Sequence, residues 1–145
     1  MRINGFWSVG TGKVSRPFIT AYAFDTDGKK RDITFMVDSG ADETVLDFDN
    51  YVKLGLSSLP SIETKLEGIG GTTAGVTVRV KLRFTKDDGV PIDVNIDLTA
   101  CTEPTSLGMN LLGRDVLEHF SLIIDKPGDT VCLLHGLHRY VIQES

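Results

Sequence analysis

The sequence predicts a mainly β protein. Long runs of period-two alternation, apolar runs joined in pairs by turn residues, and helical periodicity limited to one or two turns carry this reading. In chain order, residues 1–16 show little periodicity and read as an N-terminal arm. Phe18 to Phe24 and Ile33 to Val37 flank Asp25-Thr26-Asp27-Gly28 and form a first hairpin, whose second run is apolar enough to be buried on both faces. Asp49 to Leu54, between acidic capping candidates and Gly55, makes a short helix. Val76, Val78, Val80, Leu82 and Phe84 then alternate with Thr77, Arg79, Lys81 and Arg83, which sets one face in a core and one in water. Asp88-Gly89 turns the chain into Ile92, Val94, Ile96 and Leu98, which alternate with Asp93, Asn95 and Asp97. Met109 to Leu112 is an apolar strand that ends at Gly113 and passes into a helix over Arg114 to Phe120, with Val116, Leu117 and Phe120 on one face. Ser121 to Ile124 and Val131 to Leu134 pair around Lys126-Pro127-Gly128-Asp129, and Tyr140 to Ile142 reads as a last edge strand.

The 145 residues carry 15 Lys+Arg against 20 Asp+Glu, a formal charge of −5, with 41% hydrophobic residues. Such a chain reads as one soluble domain over residues 1–145, with a core of its own. The acidic balance and the lack of a Lys/Arg run offer nothing to phosphate backbones or anionic lipid, so neither nucleic acid nor a membrane is expected as partner. No apolar run approaches the ~20 residues of a membrane helix, and the opening lacks a signal peptide's apolar stretch, so a cytoplasmic location is expected. Cys101 and Cys132 are too few for a disulfide scaffold and read as buried thiols.

The chemistry is concentrated in three segments. Val37-Asp38-Ser39-Gly40-Ala41 puts a carboxylate directly after an apolar strand at a tight turn, where a merely solvated aspartate has little reason to sit. Alone, it is as easily a turn signal. Leu66-Glu67-Gly68-Ile69-Gly70-Gly71-Thr72 is a glycine-rich hairpin tip with one apolar residue among the glycines. Leu111-Leu112-Gly113-Arg114-Asp115 joins a strand to a short helix.

In this order the three segments resemble the retropepsins, the aspartic proteases of retroviruses and their cellular and bacterial relatives. The resemblance runs from about Phe18 to Leu134, and the stretch from Asp49 to Leu56 is similar to the bacterial branch. Departures are Ser39 where threonine is commoner, Glu67 beside the tip glycines, and a longer C-terminal tail. The resemblance implies an acid-protease barrel with a short C-terminal helix and an active site completed by homodimerisation. Asp38 is then the catalytic residue, with Ser39, Gly40 and Ala41 as its loop. Gly68, Ile69, Gly70 and Gly71 form a flap over a bound peptide, and Arg114 pairs with Asp42 beside Gly113 to brace the loop. The implied reaction is hydrolysis of extended peptides by a water held between two Asp38 carboxylates, with no cofactor and no metal. Two carboxylates about 3 Å apart cannot both ionise, so one acts as acid and the other as base. A monomeric site would instead have to recruit another acid of the same chain, such as Asp42 or Asp115. The alternative from a different class is a catalytically silent peptide-binding or dimerisation module with the same fold.

Other groupings carry less. Asp25 to Gly28 begins like a calcium loop but has Lys30 and Met36 where glycine and glutamate are needed. Cys132, His135 and His138 supply only three clustered ligands for zinc, His119 reads as a helix-surface residue, and Gly10 to Lys13 lacks the first glycine of a phosphate loop. Arg79, Lys81 and Arg83 form a basic stripe that reads as a solvated strand face.

Overall fold

The computed structural model describes residues 2–10, 12–68, 71–104 and 108–145. Its elements are β1 (Arg2–Asn4), β2 (Phe6–Ser8), β3 (Arg16–Phe24), β4 (Lys30–Val37), β5 (Val45–Leu46), α1 (Phe48–Lys53), a 3-10 turn (Leu56–Ser58), β6 (Ser61–Gly68), β7 (Gly71–Thr85), β8 (Pro91–Cys101), β9 (Asn110–Leu112), α2 (Arg114–Leu117), β10 (Phe120–Asp125) and β11 (Thr130–His135). An eight-stranded sheet runs β2-β3-β4-β9-β5-β8-β7-β6, and a bridge from Tyr22 to Arg83 joins β3 to β7 and closes it into a barrel. A smaller sheet has the order β1-β11-β10.

The two long hairpins form where the alternation places them. In β7 and β8 the partners Leu82↔Val94 and Val80↔Ile96 face inward, and Val76, Val78, Val80, Leu82 and Phe84 are all buried. The β3–β4 turn is closed by Asp25, whose Oδ1 accepts from the amides of Asp27 at 2.9 Å and Lys29 at 2.8 Å, and by Gly28 at φ 82°, a conformation that favours glycine. Ile19, Ala21 and Ala23 of β3 meet Ile33, Phe35 and Val37 of β4 inside the barrel. Both cysteines are buried and free.

Four expectations need correction. β4 is buried on one face only: Thr34 is exposed, and its hydroxyl lies 3.1 Å from that of Thr20 on the outer surface. The helix after Gly113 ends at Leu117, because Phe120 is drawn into β10 opposite His135 and packs edge-on against Phe84 at 5.9 Å. Residues 2–8 are woven into both sheets, with Ile3 buried on β1 and the Trp7 indole donating to the carbonyl of Thr130 at 3.3 Å. Tyr140 to Ile142 forms no strand, and Ile142 is 91% exposed. Both edges of β11, the strand that the tail follows, are already occupied, by β1 and β10, so the tail cannot fold back to pair with it.

Candidate active site

β4 and β5 follow one another in the chain but are not neighbours, because β9 inserts between them, parallel to β4 and antiparallel to β5. The loop from Asp38 to Thr44 therefore emerges beside the end of β9. Asp38 continues the ladder by one bond, its amide donating to the Leu112 carbonyl at 3.0 Å. Buried Asn110 ties the other end of β9 in place: its Nδ2 donates to the Thr34 carbonyl at 3.1 Å, and its Oδ1 accepts from the Asp47 amide at 2.9 Å.

Within the loop Asp38 is half-buried, and Ser39 and Gly40 are exposed. The Gly40 amide donates to Asp38 Oδ1 at 3.0 Å and the Ala41 amide to the Asp38 carbonyl at 3.2 Å, so the carboxylate is held by its own turn. The start of α2 braces the loop through backbone bonds, from the Arg114 amide to the Ala41 carbonyl at 2.8 Å and from the Asp115 amide to the Asp42 carbonyl at 3.2 Å. The Arg114 guanidinium is ion-paired with Asp42, which raises the Arg114 pKa above its ordinary value through hydrogen bonding and charge. The pair joins the expected partners, but its side chains are 51% and 78% exposed. Gly113 has no room for a side chain: an added Cβ would lie 2.5 Å from the Glu43 carbonyl carbon and 2.9 Å from the Thr44 nitrogen.

Two side chains that lie within the run Phe35 to Leu46 on which the resemblance rests, but to which it gave no role, complete the site. Thr44 is fully buried, donates from its amide to Asp115 Oδ2 at 2.9 Å and from its hydroxyl to Asp115 Oδ1 at 2.6 Å, and accepts from the Gly113 amide at 3.1 Å. Glu43 accepts from the hydroxyl of buried Thr99 at 2.9 Å. The available signal was faint: a threonine entering the apolar Val45-Leu46 run needs a polar partner, but nothing local says which.

Gly68 of β6 stands opposite Gly71 of β7, so the glycine-rich segment does close a hairpin; Ile69 and Gly70 lie outside the described residues. The Asp25 carboxylate is occupied by its turn and by Arg31 Nε at 3.1 Å. Arg79 and Arg83 pair with Asp97 and Asp93 on the neighbouring strand, which neutralises most of the basic stripe. His138 sits with Nε2 2.9 Å from the His135 carbonyl oxygen, and among the described residues no three His, Cys, Asp or Glu side chains converge on one point. A groove of about 360 Å³ lined by Tyr22, Phe24, Leu54, Leu56 and Arg83 includes no residue of the Asp38 loop.

A family model described as "Aspartyl protease" matches residues 23–116, which contain both the Asp38 loop and the start of α2. The Gag-Pro polyprotein of squirrel monkey retrovirus is 31% identical over 96 residues, 66% of this chain, which spans only 9% of that relative's length. The crystal structure of a retropepsin-like aspartic protease from Rickettsia conorii is 25% identical, with a TM-score of 0.56 over 92% of this chain and 88% of that one. EIAV protease complexed with the inhibitor HBY-793 is 23% identical, with a TM-score of 0.45 over 77% of this chain and 91% of that one. A barrel threaded by β9, an aspartate at its strand end, and a match that covers both halves of the loop brace agree: the chain belongs to the aspartyl protease family and has a retropepsin-like fold.

Proposed function

We propose that this chain is an aspartic endopeptidase that works as a homodimer, hydrolysing extended peptides with apolar side chains near the scissile bond. The observation that carries the reading is the placement of Asp38: half-buried at the end of β4, its carboxylate held by the Gly40 amide on a loop braced from α2. The sequence has one Asp-Ser-Gly motif, so a dyad requires a second copy with the two Asp38 side chains meeting across a two-fold axis. One ionised carboxylate takes a proton from water as the oxygen attacks the peptide carbonyl, and its protonated partner supplies a proton to the tetrahedral species as the C–N bond breaks. In this reading Ser39 hydrogen-bonds across the axis. Gly40 and Ala41 line the peptide's path, and the β6–β7 hairpin tip closes over it.

The test counts carboxylates. Asp38→Asn should fold normally and hydrolyse nothing in a peptide-library digest, and a pepstatin-type inhibitor should stop the wild type. When wild type is mixed with Asp38→Asn protein and subunits exchange fully, activity should fall as the square of the wild-type fraction, leaving about a quarter in an equal mixture. A linear decline with exchange verified would rule out the shared dyad. Peptide binding without hydrolysis by the wild type would instead favour the silent binding module.

A further inference from the structure

The groove beside Tyr22 stands apart from the Asp38 loop. Tyr22 pairs with Asp32 on β4, and the extended chain from Asp32 to Asp38 covers about 20 Å. At about 360 Å³ the groove is near the lower end of the range for small-ligand sites, with room for a pair of side chains. Leu54 and Leu56 are buried beneath it, while Phe24 and Leu59 line it with 54% and 37% of their surfaces exposed. Its charged lining is one carboxylate, Asp25, and three cations that alternate along one face of β7, Arg79, Lys81 and Arg83. Asp25 is already spent, with Oδ1 on the amides of its turn and Oδ2 on Arg31. Asp93 grips Arg83 through Nε and Nη2, and Asp97 touches Arg79 through Nη1 alone at 3.2 Å; both acids belong to β8 and lie outside the groove lining. Lys81 stands between these pairs opposite the neutral Asn95 and forms no ion pair among the described residues. A free ammonium and unused guanidinium nitrogens thus border an apolar surface, which complements an anion with a hydrophobic body.

We propose that this groove docks an acidic segment of protein substrates, one in which a large apolar side chain and an aspartate or glutamate stand two residues apart. That spacing puts both on one face of an extended chain, the apolar group against Phe24 and Leu59 and the carboxylate on Lys81. The proposal rests on the protease reading above and adds a requirement on substrate chemistry remote from the scissile bond. A segment held here reaches a bond lying over Asp38 only through about six or more extended residues. Docking raises the local concentration of the bond to be cut, so it lowers KM and leaves kcat unchanged.

The probe is a fluorescein-labelled heptapeptide with phenylalanine at its centre, glutamate two residues to either side, and serine and threonine elsewhere. Binding is read by anisotropy on full-length Asp38→Asn protein, which cannot cut it. Adding Lys81→Glu should weaken binding about tenfold or more, the scale of one charge-assisted bond lost, and should make the same peptide with lysine for glutamate the better ligand. Phe24→Ser should weaken binding about threefold. Both positions are exposed, so these variants should keep the parent's melting midpoint. In the active chain, a short substrate from the library digest is compared with the same substrate joined to the probe by a flexible glycine-serine linker. The extension should lower KM about tenfold for wild type but not for Lys81→Glu, with kcat within about twofold. Equal affinity for the glutamine version of the probe, unchanged binding by Lys81→Glu, or no saturable binding at millimolar peptide would overturn the proposal. So would displacement by inorganic phosphate with no dependence on the phenylalanine, which marks a plain anion site. Docking with no change in KM would overturn the role in substrate choice. If the wild type cleaves no peptide, the protease reading falls, and the anisotropy result alone decides whether the groove docks acidic segments.

Discussion

Gly113 is the place where one methyl group should undo both fold and site. In Gly113→Ala the new Cβ would sit 2.5 Å from the Glu43 carbonyl carbon and 2.9 Å from the Thr44 nitrogen, both backbone atoms that no rotamer change can move. Ordinary carbon contacts begin near 3.5 Å, so the two backbone segments must part by about 1 Å. That displacement carries the bond from the Gly113 amide to Thr44 Oγ1, now 3.1 Å, beyond hydrogen-bonding distance, and it strains the neighbouring bond from the Arg114 amide to the Ala41 carbonyl, now 2.8 Å. Overpacking contributes about 1–3 kcal/mol and the buried amide left unpaired about 1–3 kcal/mol, which together give roughly 2–6 kcal/mol. This is a large part of the ~5–15 kcal/mol by which an ordinary domain is stable. A denaturant melt with matched slopes measures it, and turnover in whatever folded protein remains should drop on the order of a hundredfold. Gly12→Ala is the control: the nearest atom to its Cβ is 3.8 Å away, and its stability should change by less than about 0.5 kcal/mol. A loss below about 1 kcal/mol in Gly113→Ala with turnover intact would refute the reasoning, because the close approach would then be relieved at no expense to the brace.

Arg114→Ala should melt like Arg79→Ala, since both remove one arm of an exposed ion pair; a clearly lower midpoint for Arg114→Ala at dilute protein would show that its pair is buried in the working state. The Asp25 carboxyl is held below its ordinary value by the amide of Lys29, by Arg31 and by the amide of Asp27, against the opposing effect of its burial. Its contribution to stability is therefore full above the unfolded value of about 4 and is lost as pH falls through the lower folded value, so wild type and Asp25→Asn should converge in acid; a constant difference from neutral to strongly acidic pH would contradict this. Truncation after Gly136 should leave the denaturant midpoint unchanged, since Leu137, Val141 and Ile142 are almost fully exposed, and a lower midpoint would mean that the tail packs in solution.

The sequence by itself determined the long strands and their hairpins, because alternation records which face of a strand meets the core, and fifteen residues of β7 or eleven of β8 hold enough periods to be read. It also named Arg114 and Asp42 as partners, and the structure pairs them. Only the tertiary structure decided the rest. β5 and β9 span two and three residues, too few to show a period, and the insertion of β9 between β4 and β5 is a choice of edge that no local pattern encodes. The exposure of the Arg114–Asp42 pair likewise depends on what the rest of the chain leaves uncovered. Thr44 and Asp115 are 71 residues apart, and nothing in either segment says that the two side chains meet. Their meeting depends on β9 bringing the start of α2 beneath the active-site loop, where a buried hydroxyl and a buried amide must find acceptors within the protein because water does not reach them.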